Sequence, residues 1–144
     1  MIEKILHKKK LLALIVRGKY RSKKGITFFT PNDSTQQFGY MKHKKKHVIK
    51  PHLHKKRLTR ILYTTEVILM LKGILRVDFY SFSKKYLFSK IIREKDIIML
   101  VHGGHGFKVL KDIEMLEIKQ GPYSLSKDKI KFQNADENKI KIKK

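Results

Sequence analysis

The stretch that decides the fold is Glu66–Tyr80, with the sequence EVILMLKGILRVDFY. Gly73 divides this stretch into two short apolar runs. In the second run apolar and polar side chains alternate, as they do in a strand with one buried face: Leu75, Arg76, Val77, Asp78, Phe79 and Tyr80. Because glycine favours turns, we expect the two runs to be strands paired as a hairpin.

Similar short runs, rich in β-branched and aromatic residues, lie on both sides of this stretch. They occupy residues 11–16, 26–30, 36–41, 48–54, 86–92, 96–101, 107–110 and 113–120. Turn-forming or charged residues separate them, and no long helical pattern occurs. About ten short strands at regular spacing are typical of an all-β sandwich or barrel.

The length of 144 residues predicts one domain that can bury a core without covalent cross-links. With no cysteine, disulfides and thiolate chemistry are excluded, so histidine and carboxylate side chains must hold any metal. The apolar run at residues 11–16 is too short for a membrane span or a secretory signal. We therefore expect a soluble, cytoplasmic protein that does not contact a membrane.

The net charge of +23 would ordinarily suggest a polyanion as partner. However, 29 of the 35 basic residues are lysine and only 6 are arginine, whereas base and phosphate recognition favours the planar arginine fork. We therefore expect no dedicated nucleic-acid role. The charge would still steer anionic small molecules towards the protein.

Charge also suggests how the chain is divided. Residues 1–10 contain a run of three lysines and predict a basic N-terminal arm. Residues 11–125 contain all the predicted strands and form the expected barrel domain. Residues 126–144 are polar and lysine-rich, which predicts a tail with little core of its own.

Two histidines are placed to act together. In an extended strand alternate side chains share a face, so His52 and His54 would point the same way, roughly 6.6 Å apart. Pro51 marks an edge or a bulge just before them. A third histidine, His105, lies in a glycine-rich turn, and with Glu66 the three make a plausible metal-binding set.

The order of these residues resembles the cupin superfamily. The His52-x-His54 pair, then Glu66, six residues and Gly73, and finally a glycine-rich turn with His105 follow its two motifs. Residues 11–125 as a whole look like the small single-domain bacterial cupins. The resemblance implies a cupin-type double-stranded β-helix, which is a jelly-roll barrel. It also implies one divalent ion (Fe, Mn, Ni or Zn) bound by His52, His54, Glu66 and His105.

The resemblance implies the fold more specifically than it implies an activity. Our first hypothesis is a metal-binding cupin that isomerises or epimerises a sugar or nucleotide-sugar next to a carbonyl, in surface-polysaccharide biosynthesis. In a metal-free variant of this scheme, His52 or His54 would be the catalytic base. The alternatives are an iron-dependent dioxygenase and a non-enzymatic module that binds metal or sugar.

Four further side chains are candidates for substrate binding: Arg76, Tyr40, Tyr63 and Gln120. Arg76 could clamp a phosphate or carboxylate if its face of the strand looks into the barrel, or it could instead pair with Asp78. His102 could act as a second group near His105. By resemblance to cupins, which often pair through strands at the barrel edge, we expect a homodimer.

Overall fold

The computed structural model describes residues 1–23, 25–122, 124 and 128–144. Within them the chain is all-β, with eight strands and one turn of 3-10 helix: β1 (Ile2–His7), β2 (Lys10–Val16), β3 (Gly25–Phe28), β4 (Gly39–Lys42), β5 (Glu66–Tyr80), β6 (Tyr86–Arg93), β7 (Ile97–Leu100), β8 (Gly104–Lys119) and η1 (Glu137–Lys139). The predicted boundary between barrel and tail, at residues 125 and 126, lies outside the described residues.

The chain divides into two compact units. One consists of Met1–Tyr20 together with Tyr63–Lys144, and the other is Arg21–Leu62. The first unit contains an antiparallel six-stranded sheet in the order β1-β2-β7-β5-β6, with β8 also paired to β5. This sheet is strongly curled. None of the helices in the described residues is long and apolar enough to cross a membrane.

Strand β5 is the centre of the sheet, and here the hairpin prediction is wrong. The two apolar runs form one continuous strand, whose first part pairs with β7 and whose second part pairs with β6. Strand β8 pairs with both parts, and the register shifts around residue 73. The chain bends at Gly73 instead of reversing, because both parts find partners on the same neighbouring strand.

Gly73 is needed at this bend. Its backbone φ is +86°, in the left-handed region that glycine adopts readily. A Cβ atom there would lie 2.0 Å from the carbonyl oxygen of Asp112 on β8. The two strands therefore approach each other too closely for any other residue.

Apolar and polar side chains alternate along the strands, so the apolar ones form the core, as expected for a sheet with one buried face. The inward side chains of β5 are fully buried after the bend, and they pack with apolar residues of β2, β6 and β7. The cluster includes Ala13, Ile15, Leu75, Val77, Phe79, Ile92 and Ile98. This core holds the sheet in its curled form.

Residues near the N-terminus form a strand where an arm was predicted. Strand β1 pairs with β2 through a tight turn in which Lys8 and Lys9 have positive φ. Glu3 on β1 contacts Arg17 at 2.6 Å and Lys90 at 2.7 Å, and Ile5 is buried in the core. The charges of this segment are thus partly paired within the sheet.

Residues 132–144, within the predicted tail, pack on the same sheet. The backbone N–H of Ser89 donates to the carbonyl of Lys141 at 2.8 Å, and the N–H of Lys143 donates back to Ser89 at 2.9 Å. The N–H of Ala135 donates to the hydroxyl of Tyr80 at 3.0 Å. These hydrogen bonds satisfy backbone groups that a free tail would leave to water.

The second unit contains a two-stranded sheet of β3 and β4. Phe29 and Phe38 pack edge to face beside it, with ring centroids 5.4 Å apart. The strand predicted at residues 48–54 is not formed, because residues 48–62 contain no helix or strand and all are exposed. Pro51 cannot donate to a strand ladder, and the lysines around it favour solvent.

Candidate functional site

Glu66 is one of three carboxylates among the described residues that are only 5% exposed, with Asp78 and Asp96. Glu66 opens β5. The Nε2 atom of His105 lies 3.0 Å from its Oε2 atom, and the ammonium of Lys129 lies 3.5 Å from its Oε1 atom. The neighbouring His105 and the lysine charges, opposed by burial, lower the pKa of Glu66 to about 2. Glu66 is therefore ionised at neutral pH.

His105 is the partner that solvent can reach. Its side chain is 28% exposed, so a dissolved molecule could touch the ring while Glu66 stays covered. The ring lies against Phe107, with centroids 5.3 Å apart. Because Nε2 faces Glu66, the other ring nitrogen, Nδ1, is not part of that contact. Among the described residues Oε2 of Glu66 has no hydrogen-bond partner, so this is an ionic contact and not an aligned hydrogen bond. An imidazole beside a carboxylate is an arrangement suited to moving protons.

Gln120 links the end of β8 to the start of β5, the two strands that carry His105 and Glu66. The backbone N–H of Thr65 donates to Oε1 of Gln120 at 2.7 Å, and Nε2 of Gln120 donates to the hydroxyl of Thr65 at 2.8 Å. Thr65 precedes Glu66 in the chain. Gln120, predicted to bind substrate, is thus engaged in positioning the start of β5.

The rings of Tyr63, Phe82 and His102 form an aromatic cluster. Phe82 stacks on His102, with centroids 5.7 Å apart and planes within 8°. Tyr63 meets both rings edge-on, at 5.8 Å from Phe82 and 5.2 Å from His102. Phe82 is 69% exposed, so the cluster offers an apolar face to solvent. Burial and the charge of Lys10 lower the pKa of His102, which favours the neutral form of the ring.

Two residues of this aromatic cluster are close in sequence to the Glu66–His105 pair. Tyr63 precedes Glu66 by three residues, and His102 precedes His105 by three residues. Three residues of chain span at most about 10 Å. The Cα atoms of Tyr63 and His102 therefore lie within about 10 Å of those of Glu66 and His105, respectively.

Arg76 is buried in an ion-pair network. It is 6% exposed, and its guanidinium donates to both oxygens of Asp78, at 2.8 and 3.0 Å. It also donates to both oxygens of Glu137, each at 2.8 Å. The two carboxylates raise its pKa, and Lys108 adds a contact of 2.9 Å to Glu137. The sequence left two possibilities for Arg76, clamping a substrate or pairing with Asp78. In the structure Arg76 pairs with Asp78.

The other predicted site residues lie in the second unit. The rings of His52 and His54 meet edge to face, with centroids 5.3 Å apart. Nδ1 of His52 lies 2.9 Å from the carbonyl oxygen of Lys50, a contact that leaves Nε2 as the nitrogen available for a ligand. Tyr40 lies on β4 and is partly buried.

The four predicted metal ligands thus divide into two pairs, one in each unit. Glu66 and His105 are in contact in the first, and His52 and His54 are in contact in the second. Within either unit, the described residues contain no group of three or more histidine, aspartate or glutamate side chains that could hold one metal ion. A site of all four residues stays a prediction.

Some residues of the site had no signal in the sequence. Lys129 and Glu137 lie in the segment predicted as a tail. Lys129 contacts Glu66, and Glu137 contacts Arg76, only because the chain folds back. Phe82 lies in a polar turn between two strands. An exposed aromatic residue in such a turn is a weak indication of function.

Comparisons with protein-family models, with curated proteins and with solved structures found no match to this chain.

Proposed function

We propose that the chain is a jelly-roll barrel of the cupin type. The course of β5 supports this, since its two parts pair with different strands while β8 follows both around the bend. One ribbon shared between two faces of a barrel is what a double-stranded β-helix requires. The order of His52, His54, Glu66, Gly73 and His105 supports the same proposal.

We propose that the protein transfers a proton at a carbon next to a carbonyl group, isomerising or epimerising a sugar or nucleotide-sugar. The observation that carries this proposal is the 3.0 Å contact between His105 and the buried Glu66. The reachable imidazole would accept the proton, and the anionic carboxylate beside it would stabilise the imidazolium that forms. The sugar is proposed from the resemblance, because a fold by itself selects no substrate.

Two further features of the protein fit such a substrate. The aromatic cluster of Tyr63, Phe82 and His102 presents faces on which a sugar ring or base can stack. The positive charge of the protein favours the phosphates of a nucleotide-sugar. Surface-polysaccharide biosynthesis is one setting in which such sugars are rearranged.

A divalent ion bound by His52, His54, Glu66 and His105 is a second proposal that comes from the resemblance, and in it Glu66 and His105 are metal ligands in place of the base and its partner. Imidazole and carboxylate are donors that Fe, Mn, Ni and Zn accept. The ammonium of Lys129 competes with a cation for one oxygen of Glu66. When bound, the metal would polarise the carbonyl of the substrate. The contact of His52 with the carbonyl of Lys50 is typical of a metal-ligating histidine and favours this proposal.

The test is hydrogen exchange into keto-sugar nucleotides in D₂O, followed by mass spectrometry. We expect exchange at the carbon next to the carbonyl, lost in His105→Ala and reduced by about a hundredfold in Glu66→Gln. His7→Ala is the control, since His7 is the last residue of β1 and is not part of the candidate site. Exchange that survives in His105→Ala would overturn the assignment of the base.

Elemental analysis of protein purified without a histidine tag tests the metal separately. One metal per chain, lost in His54→Ala and kept in His7→Ala, would support the four-residue site. Iron together with oxygen consumption would favour the dioxygenase alternative. Metal or sugar bound without turnover would favour the non-enzymatic module. Size-exclusion chromatography with light scattering tests the proposed homodimer.

A further inference from the structure

Residues 42–62, which we call the basic segment, carry an unusual concentration of charge. Among these 21 residues there are seven lysines, two arginines and four histidines, but no aspartate or glutamate. Every residue from 44 to 62 is exposed, and none of them lies in a helix or strand. No acidic side chain of the segment itself can neutralise this charge.

The basic segment also exposes aliphatic side chains between its charges. Leu53 is 95% exposed and Leu58 is entirely so, which is rare for leucine. Four more aliphatic residues are exposed to a lesser degree: Val48, Ile49, Ile61 and Leu62. Charge by itself would explain solubility, but it does not explain a series of apolar side chains that face water.

This combination distinguishes between two kinds of anionic partner. A single-stranded nucleic acid is bound by aromatic side chains that stack on bases and by arginine, but the basic segment has no phenylalanine, tyrosine or tryptophan and only two arginines. An anionic lipid surface is bound by lysines at the headgroups and aliphatic side chains in the acyl boundary. The composition matches the second kind.

We propose that residues 42–62 dock the protein on an anionic phospholipid surface. The lysines, among them Lys44, Lys45 and Lys46, lie at the headgroups, and Leu53 and Leu58 insert between the lipids. The expectation of no membrane contact followed from the absence of a spanning segment, which says nothing about peripheral binding. This proposal is independent of the proposed proton transfer, because it uses neither Glu66 nor His105, and its experiment changes neither His52 nor His54 of the proposed metal site.

The experiment is co-sedimentation of the full chain with phosphatidylcholine vesicles, with and without phosphatidylglycerol. We expect binding only to the anionic vesicles, weakened by salt. In Lys44→Gln/Lys45→Gln/Lys46→Gln binding should fall by about tenfold or more. The matched control Lys84→Gln/Lys85→Gln/Lys131→Gln removes the same charge from exposed positions elsewhere and should bind nearly as well.

Leu53→Ser/Leu58→Ser tests the aliphatic contribution. It should weaken vesicle binding by about tenfold while leaving the melting temperature unchanged. A lower melting temperature with unchanged vesicle binding would mean that these leucines pack within the protein, and it would overturn the proposal. Tighter binding to a single-stranded RNA than to anionic vesicles, at the same salt, would overturn it in favour of a nucleic-acid partner.

Discussion

Glu66 and His105 lie near opposite ends of the ribbon formed by β5 and β8, and yet their side chains meet at 3.0 Å. Glu66 pairs in register with Lys119, whereas His105 pairs with Phe79, thirteen residues further along β5. In a straight strand that separation would be about 43 Å. The bend at Gly73 and the curl of the sheet are compatible with the contact, and the pairing of Glu66 with Leu100 on β7, five residues before His105, brings the two side chains to the same place.

Replacing Gly73 by alanine should destabilise the fold severely. The new Cβ would clash with the carbonyl of Asp112 and would hold a positive φ that alanine disfavours. We expect a loss of at least about 3 kcal/mol in the free energy of unfolding, measured by urea denaturation. Gly25→Ala is the matched control. Its φ is also positive, but nothing lies within 4 Å of the new Cβ, so it should cost only about 1 kcal/mol.

Stability below neutral pH should depend on Glu66. Its pKa is about 2 in the folded protein, below the ordinary 4.5, so its contribution is complete above pH 4.5 and disappears as the pH falls towards 2. Glu66→Gln has no such contribution to lose. Thermal melts of both proteins at a series of pH values should show the wild type losing more stability in this window. Parallel curves would contradict the ion pair with His105.

Replacing Arg76 by alanine should cost about 3 kcal/mol or more, because it leaves the buried Asp78 without its cation. Chemical denaturation measures the loss. Glu137→Gln removes the exposed partner but keeps the pair with Asp78, and it should cost less. Equal losses in the two variants would mean that the contact to residues 132–144 is the dominant one.

Deleting residues 135–144 should expose one edge of the sheet. The amide of Ser89, which donates to Lys141, should then exchange with solvent at least about tenfold faster. The amide of Val101, which donates to Leu12, is the internal control and should not change. Unchanged protection at Ser89 would show that residues 135–144 do not bind the sheet in solution. Hydrogen–deuterium exchange with NMR detection resolves the two amides.

Local signals predicted much of the strand content. The runs at residues 11–16, 26–30, 86–92 and 96–101 all contain strands of the structure, since β-branched residues and turn-formers act over a few positions. The same signals placed breaks at Gly73 and at residues 111–112, where β5 and β8 are in fact continuous. A glycine is compatible both with a reversal of the chain and with a bend in a continuous strand. Pairing with strands that are distant in the sequence decides between the two.

By itself, the sequence determined that the chain forms β-strands, that any metal must be held by histidine and carboxylate, and that the charge is strongly positive. These properties follow from side-chain chemistry and from alternation between neighbouring residues. Only the tertiary structure decided that β1 and residues 132–144 join the sheet, that Arg76 is paired with Asp78 and Glu137, and that His105 reaches Glu66. Such contacts depend on strand register and sheet curvature, which arise when the whole core packs and have no local signature.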